Sequence, residues 1–231
     1  MTEHPAILFV ALPLAAYAVG STPCGVIISR ARGVDIRAHG SGNVGATNVG
    51  RVLGRKWGLL CFALDVLKGL LPVLIVGMLL RGLEGFPTEK HQAAWLGVGV
   101  GCILGHVFSF YLRFRGGKGV ATSLGVVLGI FPYFTWAGLA AFALWLLVVG
   151  VSRYVSLASV TAAAAFWPFF ACINWLALGI SPGRLWPLGA FAAAMALLII
   201  CRHSGNISRL LAGTENKIGS KGCRAADGER A

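Results

Sequence analysis

The chain has 231 residues, of which 57% are hydrophobic and only 12% are charged. A soluble domain usually carries about a quarter charged residues, so this composition excludes an ordinary water-soluble fold. The net charge of +12 would suggest nucleic acid binding, but the basic residues lie between apolar stretches, without stacking aromatics or zinc-finger spacing. We therefore predict a polytopic membrane protein without a nucleic acid partner, whose cations face anionic lipid headgroups and phosphorylated metabolites.

The six cysteines are scattered, mostly within apolar runs, and none forms a C-x-x-C pair. Such cysteines are typical of small packing residues in helices. The sequence therefore predicts no metal site and no disulfide framework, and we expect no cofactor.

Six apolar stretches, one of them long enough for two helices, predict an all-α fold with seven transmembrane helices, since a span needs about 20 apolar residues. The first stretch lacks the basic start and the cleavage site of a secretory signal, so we expect it to be retained as a helix. The stretch 118–150 is too long for one crossing, and Pro132 predicts a break into a short helix and a full one. The other predicted spans are 5–28, 57–80, 93–112, 154–178 and 186–201.

The basic residues predict the orientation of these spans. With the N-terminus outside, sixteen of the twenty Lys and Arg residues fall in cytoplasmic segments, three fall outside, and Lys68 lies within a span. This asymmetry obeys the positive-inside rule and places the C-terminus in the cytoplasm. We expect one membrane domain over 1–218 and a basic, disordered cytoplasmic tail over 219–231.

A first cytoplasmic segment, 39–51, combines glycines with short polar side chains and a cation. Glycine lets backbone N–H groups approach an anion closely, and a short helix over 44–53 would add its N-terminus. The alternative is a flexible connector, which does not require this set of polar residues. We predict substrate binding by Ser41, Gly42, Asn43, Asn48 and Arg51.

A second segment, 113–123, places a lysine among glycines ahead of a predicted helix. It differs from a P-loop, because Lys118 is followed by glycine and no strand precedes it. Membrane anchoring explains the arginines at 113 and 115 equally well, but it does not require three glycines. We predict substrate binding by Gly116, Gly117, Lys118, Gly119 and Thr122.

A third segment follows the last span. In a helix, His203 and Asn206 lie three residues apart and share one face. A histidine beside a membrane helix is often only an interfacial residue, but its pairing with Asn206 favours a site. We predict substrate binding by His203, Asn206 and Glu215.

Two polar features lie inside predicted spans. Asp65 and Lys68 are three residues apart near the bilayer centre, where they either serve function or form an ion pair that ties helices together. His106 lies about two turns from the cytoplasmic end of the third span. It either belongs to the site or bonds to a neighbouring helix.

Together the segments resemble the bacterial acyl-phosphate:glycerol-3-phosphate acyltransferase family. The resemblance runs in order from about residue 20 to 218, and the ordered set is far more specific than any one motif. The matching stretches are Gly20-Ser21-Thr22-Pro23, Gly40 to Asn48 with Arg51, Leu64 to Gly69, Gly105-His106, Gly116 to Thr122, His203 to Leu210 and Gly213-Thr214-Glu215.

The resemblance implies transfer of a fatty acyl group from acyl phosphate to the sn-1 hydroxyl of glycerol 3-phosphate. The products would be lysophosphatidic acid and phosphate, at the cytoplasmic face of the bacterial inner membrane, in the first step of phospholipid synthesis. The family's phosphate- and glycerol-binding roles fall on Ser41, Asn43, Arg51, Lys118, His203 and Asn206. The resemblance also implies catalytic roles for Lys118, His203, Asn206 and Ser41.

An acyl phosphate is a mixed anhydride with a good leaving group, so orientation and charge stabilisation matter more than a covalent nucleophile. No G-x-S-x-G elbow is present. We expect direct attack, with Lys118 and the amides of 116–119 holding the acyl phosphate and the other segments holding glycerol 3-phosphate. The proton acceptor is either His203 or a substrate phosphate oxygen. A metabolite transporter is the main alternative, but the polar motifs gather at one face instead of the midplane.

Overall fold

The computed structural model describes residues 4–81 and 87–218, apart from the side chain of Arg81; the predicted tail at 219–231 lies outside them. This part of the chain consists of helices and turns. Its ten α-helices are α1 (Leu12–Gly20), α2 (Cys24–Arg30), α3 (Ala46–Leu53), α4 (Arg55–Arg81), α5 (Glu89–Val107), α6 (Val120–Gly129), α7 (Thr135–Ser152), α8 (Val155–Ala171), α9 (Trp186–Arg202) and α10 (Ser204–Leu211).

The long apolar helices lie where the hydrophobic stretches predict them. Five are long and apolar enough to cross a membrane, and α9 with α10 forms a sixth candidate, bent by 57°. The ten residues of α6 extend only about 15 Å, half of a hydrocarbon core. The all-α membrane architecture is therefore confirmed, and the count of seven full spans stays a prediction. The five long segments are Ile7–Arg30, Arg55–Leu80, Glu89–Leu112, Thr135–Ser152 and Val155–Ala177.

Two interruptions shape the bundle. The predicted break at Pro132 is confirmed, since α6 ends at Gly129 and α7 begins at Thr135. The span predicted over 5–28 lies within the candidate span Ile7–Arg30, but its helix is broken, since it stops at Gly20 and restarts at Cys24. Pro23 has no N–H to continue the helix. The carbonyl of Thr22, freed at this break, accepts a hydrogen bond from Lys68.

Glycines bring the helix backbones into contact. A Cβ at Gly101 of α5 would lie 2.4 Å from the carbonyl oxygen of Pro13 in α1, and one at Gly125 of α6 would lie 2.0 Å from that of Val66 in α4. Small residues allow this approach in membranes, where packing and not water exclusion holds helices together. The pairs α1–α5 and α4–α6 thereby form a rigid frame.

The frame places the three predicted segments at one end of the bundle. The first precedes α3, the second joins α5 to α6, and the third begins at the bend between α9 and α10. The chain then returns toward the start of α8, where Ile218 donates its N–H to the carbonyl of Arg153 at 2.9 Å. The short helices predicted within 44–53 and after residue 202 are confirmed as α3 and α10.

Candidate active site

The second and third segments meet through their side chains. Lys118 Nζ donates a hydrogen bond to Asn206 Oδ1. Asn206 Nδ2 in turn donates to Glu215 Oε1 at 2.6 Å. Three predicted site residues, from the loop before α6, from α10 and from the returning chain, therefore form one connected chain of hydrogen bonds.

Glu215 accepts most of the hydrogen bonds in this network. Its carboxylate also accepts hydrogen bonds from Ser156 Oγ at 2.8 Å and Arg209 Nε at 2.7 Å. Burial alone would raise the pKa of Glu215, but hydrogen bonds from Asn206, Ser156 and Arg209 lower it overall. Glu215 is therefore ionised at neutral pH, and its oxygens are occupied by protein donors.

Ser156 is a residue that the sequence analysis missed. It lies in the first turn of α8, is buried, and contributes its hydroxyl to Glu215. Its sequence context is a serine at the start of an apolar helix, which is ordinary in membrane proteins. Only the return of the chain to α8 brings it to the site.

Lys118 lies among several cations. Burial lowers the pKa of Lys118 to about 8; the charge of Glu215 opposes this, while the charges of Arg209, Arg202 and Arg51 add to the lowering. An ammonium group short of water and close to three guanidinium groups is a strong site for an anion. This arrangement suits phosphate, and Arg51 is the residue of the first segment whose charge reaches it.

The glycine turn before Lys118 is fixed to neighbouring helices. Gly116 N donates to the carbonyl of Val107 at 3.0 Å, and Gly117 N donates to that of His106 at 3.1 Å. Arg202 Nη2 bonds to the carbonyl of Gly117 at 3.3 Å. The expectation that these two amides hold a phosphate is therefore corrected, because the end of α5 already accepts their hydrogens. Gly119, with φ of +86°, is the N-cap residue immediately before α6.

His203 lies at the bend between α9 and α10 and is buried. Its Nδ1 is 2.8 Å from the carbonyl oxygen of Ile199. Because a carbonyl only accepts, Nδ1 carries the hydrogen and Nε2 keeps its lone pair. Burial lowers the pKa of His203 to about 4, although the Ile199 hydrogen bond opposes this. The imidazole is therefore neutral at physiological pH.

In the first segment, Asn48 organises the glycine loop. Its Oδ1 accepts the N–H of Ser41 at 2.9 Å, and its Nδ2 faces three carbonyl oxygens at 2.9–3.2 Å, those of Ile36, His39 and Asn43. The side chain is 1% exposed. Asn48, predicted to bind substrate, is thus occupied in holding its own loop.

The remaining residues of this segment divide by exposure. Ser41 and Gly42 are exposed, and Gly42 has φ of +68°, which glycine adopts without strain. Asn43 accepts the N–H of Gly45 at 2.9 Å.

Thr122 of the second segment has no exposed surface and packs at the α4–α6 contact beside Gly69. This burial gives Thr122 a packing role between the two helices, and its predicted contact with substrate stays a prediction.

An apolar cavity of about 80 Å³ opens beside the polar cluster. It extends into the bundle between α4 and α6 on one side and α7, α8 and α9 on the other. Among the described residues, no group of three His, Cys, Asp or Glu side chains could hold a metal ion. Lining the cavity are Phe62, Val120, Ser123, Leu124, Val127, Gly138, Ala141, Phe142, Trp145, Ser159, Ala162, Ala163, Phe166, Met195 and Ile199.

The fold and the site define an all-α membrane bundle that holds a cationic polar cluster and an adjoining apolar cavity. The family model described as glycerol-3-phosphate acyltransferase matches residues 10–213. The chain belongs to the glycerol-3-phosphate acyltransferase family, as the ordered motifs predicted.

Relatives named glycerol-3-phosphate acyltransferase match over most of their length. One from Geobacter sulfurreducens is 45% identical over 207 residues, which cover 90% of this chain and 96% of the relative. One from Aquifex aeolicus is 39% identical over 209 residues, covering 90% of this chain and 97% of the relative.

Two crystal structures of PlsY, an integral membrane glycerol 3-phosphate acyltransferase, share the fold. One is the glycerol 3-phosphate form and the other the lysophosphatidic acid form. Both are 40% identical and cover 91% of this chain and 95% of their own, with TM-scores of 0.76 and 0.74. Together with its long apolar helices, this identifies the chain as a multi-pass membrane protein.

Proposed function

We propose that this chain transfers a fatty acyl group from an acyl phosphate to the sn-1 hydroxyl of glycerol 3-phosphate. The products are lysophosphatidic acid and inorganic phosphate. One observation carries the proposal: the cationic cluster around Lys118 adjoins the apolar cavity, since Val120, two residues after Lys118, lines that cavity. A substrate with a phosphate head and an acyl tail needs both.

Three parts of the chain, namely the start of α6, the end of α9 and the start of α8, each contribute residues to both the polar cluster and the cavity. Lys118 belongs to the cluster, and Val120, two residues on, lines the cavity. Ile199 lines the cavity and accepts the hydrogen bond of His203. On α8, Ser156 bonds to Glu215, and one turn further Ser159 lines the cavity. The polar head and apolar tail of one substrate are thus served at adjoining positions.

The reaction is a direct transfer at the acyl carbon. The sn-1 oxygen attacks the carbonyl carbon, forming the ester C–O bond. The C–O bond of the mixed anhydride breaks, and phosphate leaves with the electron pair. Negative charge develops on the carbonyl oxygen and on the departing phosphate, where a fixed ammonium stabilises it best. Lys118 is the group in this role.

The other cations and donors bind and orient the phosphates. Arg51, Arg202 and Arg209 supply positive charge around Lys118. Ser41, exposed in the glycine loop, and Asn206 offer hydrogen bonds to glycerol 3-phosphate. Glu215 acts as a positioning residue, since its carboxylate would repel a phosphate but holds Asn206 and Arg209. Asn48 shapes the loop in the same indirect way.

Two groups compete for the hydroxyl proton. His203 has a free Nε2 lone pair and is neutral, so it can accept the proton. A phosphate oxygen of the substrate is the alternative. His203→Gln keeps a polar side chain but lacks the basic nitrogen. We expect this variant to lose about 10²-fold or more in kcat if His203 is the acceptor. A near-native kcat would assign the proton to substrate phosphate.

We further propose seven spans in the bacterial inner membrane, with the N-terminus outside and the site facing the cytoplasm beside membrane lipids. The sixteen basic residues on that side support this. In a chain whose own six cysteines are replaced by serine, Thr47→Cys and Ser204→Cys, both at exposed positions, should each react with a membrane-impermeant maleimide only in inverted vesicles. Labelling in right-side-out vesicles would contradict the orientation.

The activity is tested with purified protein, acyl phosphate and glycerol 3-phosphate, measuring phosphate release and lysophosphatidic acid. Acyl-CoA and acyl carrier protein donors are assayed beside acyl phosphate. We expect product only from acyl phosphate; release with acyl-CoA alone would overturn the donor. Radiolabelled acyl-enzyme trapped during turnover would overturn direct transfer.

A further inference from the structure

Beneath the glycine turn lies a buried charged cluster that the proposed reaction does not use. Lys68 Nζ is 2.8 Å from Asp65 Oδ1 and 2.9 Å from the carbonyl of Thr22. The side chain of Lys68 is 7% exposed and that of Asp65 is 3% exposed. Charged groups inside a membrane bundle are costly, so their retention calls for a role.

His106 connects this cluster to the turn. Its Nδ1 lies 3.7 Å from Asp65 Oδ1, beyond a hydrogen bond but within range of the charge. Its Nε2 faces the turn from the other side of the ring. A Cβ built on Gly117 would lie only 2.3 Å from His106 Nε2, so the glycine's bare face rests against the imidazole.

The backbone of the same residue fixes the turn a second time. The carbonyl of His106 accepts the N–H of Gly117, and a Cβ on Gly116 would lie 2.0 Å from that carbonyl oxygen. Both glycines therefore rest on His106, one on its ring and backbone and one on its backbone. Lys118 is the next residue along the chain.

We propose that His106 is a positioning residue that sets the location of Lys118 through the Gly116–Gly117 turn, with Asp65 and Lys68 holding its ring. The carboxylate of Asp65 attracts the ring N–H at Nδ1, which keeps Nε2 against Gly117. Lys68, anchored on the Thr22 carbonyl, fixes that carboxylate in turn. The inference rests on the proposed role of Lys118 in phosphate binding.

An ion pair that merely tied helices together would affect stability alone. A positioning role predicts that changes at His106 and Gly117 act on the same kinetic constants and are coupled. Gly117→Ala pushes a methyl group into the imidazole and displaces Lys118. His106→Ala removes the support but makes room for that methyl group. The double variant should therefore be less impaired than the product of the single effects.

The experiment measures kcat and both KM values for wild type, His106→Ala, Gly117→Ala and the double variant, with Tm recorded for each. We expect each single variant to lower kcat/KM by about tenfold or more. Both single variants should raise the KM for the same one of the two substrates. The double variant should exceed the multiplicative expectation by at least about fivefold. Multiplicative effects, or a lower Tm with unchanged KM values, would overturn the proposal.

Two controls keep the outcome decisive. Asn174→Ala removes a buried amide that bonds to the Tyr133 and Phe170 carbonyls at the other end of α8; it should lower Tm and leave both KM values unchanged. If Gly117→Ala does not fold, recovery of folded protein in the double variant supports the coupling, and failure of recovery contradicts it.

Failure of the proposed function is seen separately. Wild-type turnover of acyl phosphate tests that function by itself. If wild type is inactive, the same four proteins are compared by the Tm increase that inorganic phosphate produces. Coupling between positions 106 and 117 in that increase supports the inference, and independent effects overturn it.

Discussion

Lys118 and Asn206 are 88 residues apart in sequence, yet the ammonium of one donates a hydrogen bond to the amide oxygen of the other. The amide nitrogen of Asn206 donates to Glu215. Asn206 thus separates a cation from a carboxylate that would otherwise pair directly. This spacing leaves the Lys118 charge available to a phosphate.

Asn206→Ala should therefore lower kcat/KM by about 10²–10³-fold. Without the amide, Lys118 can collapse onto Glu215 and lose its availability for substrate. Steady-state kinetics with both substrates measure the effect. Ser208→Ala, on the exposed side of the same helix, is the matched control and should be neutral. An Asn206→Ala enzyme within about threefold of wild type would contradict the role.

The lowered pKa of Lys118 predicts an alkaline limit to activity. Lys118 is charged below about pH 8 and loses its proton above it, so kcat/KM should fall as pH rises through that region. The limit belongs to the free enzyme, because bound phosphate would hold the proton more tightly. A pH profile of kcat/KM from neutral to alkaline conditions measures it.

Two charge variants should move this limit in opposite directions. Glu215→Gln removes a negative charge that favours the ammonium form, so the fall should begin at lower pH. Arg209→Gln removes a positive charge that disfavours it, so the fall should begin at higher pH. Shifts of the same sign in both variants would show that another group sets the limit.

Much of the fold was predictable from the length of the apolar runs. The break near Pro132 was predictable because proline lacks the N–H that a continuing helix needs. The interruption of the first helix at Pro23 was not predictable, because the apolar run continues through it.

At the site, Lys118 and Asn206 were predictable from their polar context. The occupied amides of Gly116 and Gly117 were not, because they depend on where α5 ends. The loop hydrogen bonds of Asn48 were not predictable for a related reason: a side chain that bonds to its own loop has the same sequence signature as one that binds a ligand.

The apolar cavity predicts how acyl-chain preference can be changed. Ala163 of α8 lines the cavity, and the neighbouring Ala164 is exposed on the outer surface of the bundle. Ala163→Leu should displace about two methylenes of a long acyl chain, a loss of about 1.6 kcal/mol. We expect kcat/KM to fall about tenfold for a long-chain acyl phosphate and little for a short one. Ala164→Leu adds the same volume outside the cavity and should change neither; equal losses for both chain lengths would argue against an acyl site here.

Two substitutions at Asn48 test whether its N–H groups hold the loop, because they should differ in how far they lower stability. Asn48→Ala leaves the N–H of Ser41 and three carbonyls without their partner, which should cost about 2 kcal/mol or more of stability. Asn48→Asp retains an acceptor for Ser41 but turns a second, charged oxygen toward the carbonyls of Ile36, His39 and Asn43. Repulsion makes the aspartate variant the less stable of the two despite its closer shape. Thermal unfolding in detergent ranks them, with Thr47→Ala, exposed on the same helix, as the control. If the aspartate variant unfolds at or above the temperature of the alanine variant, Asn48 does not hold the loop through its N–H groups.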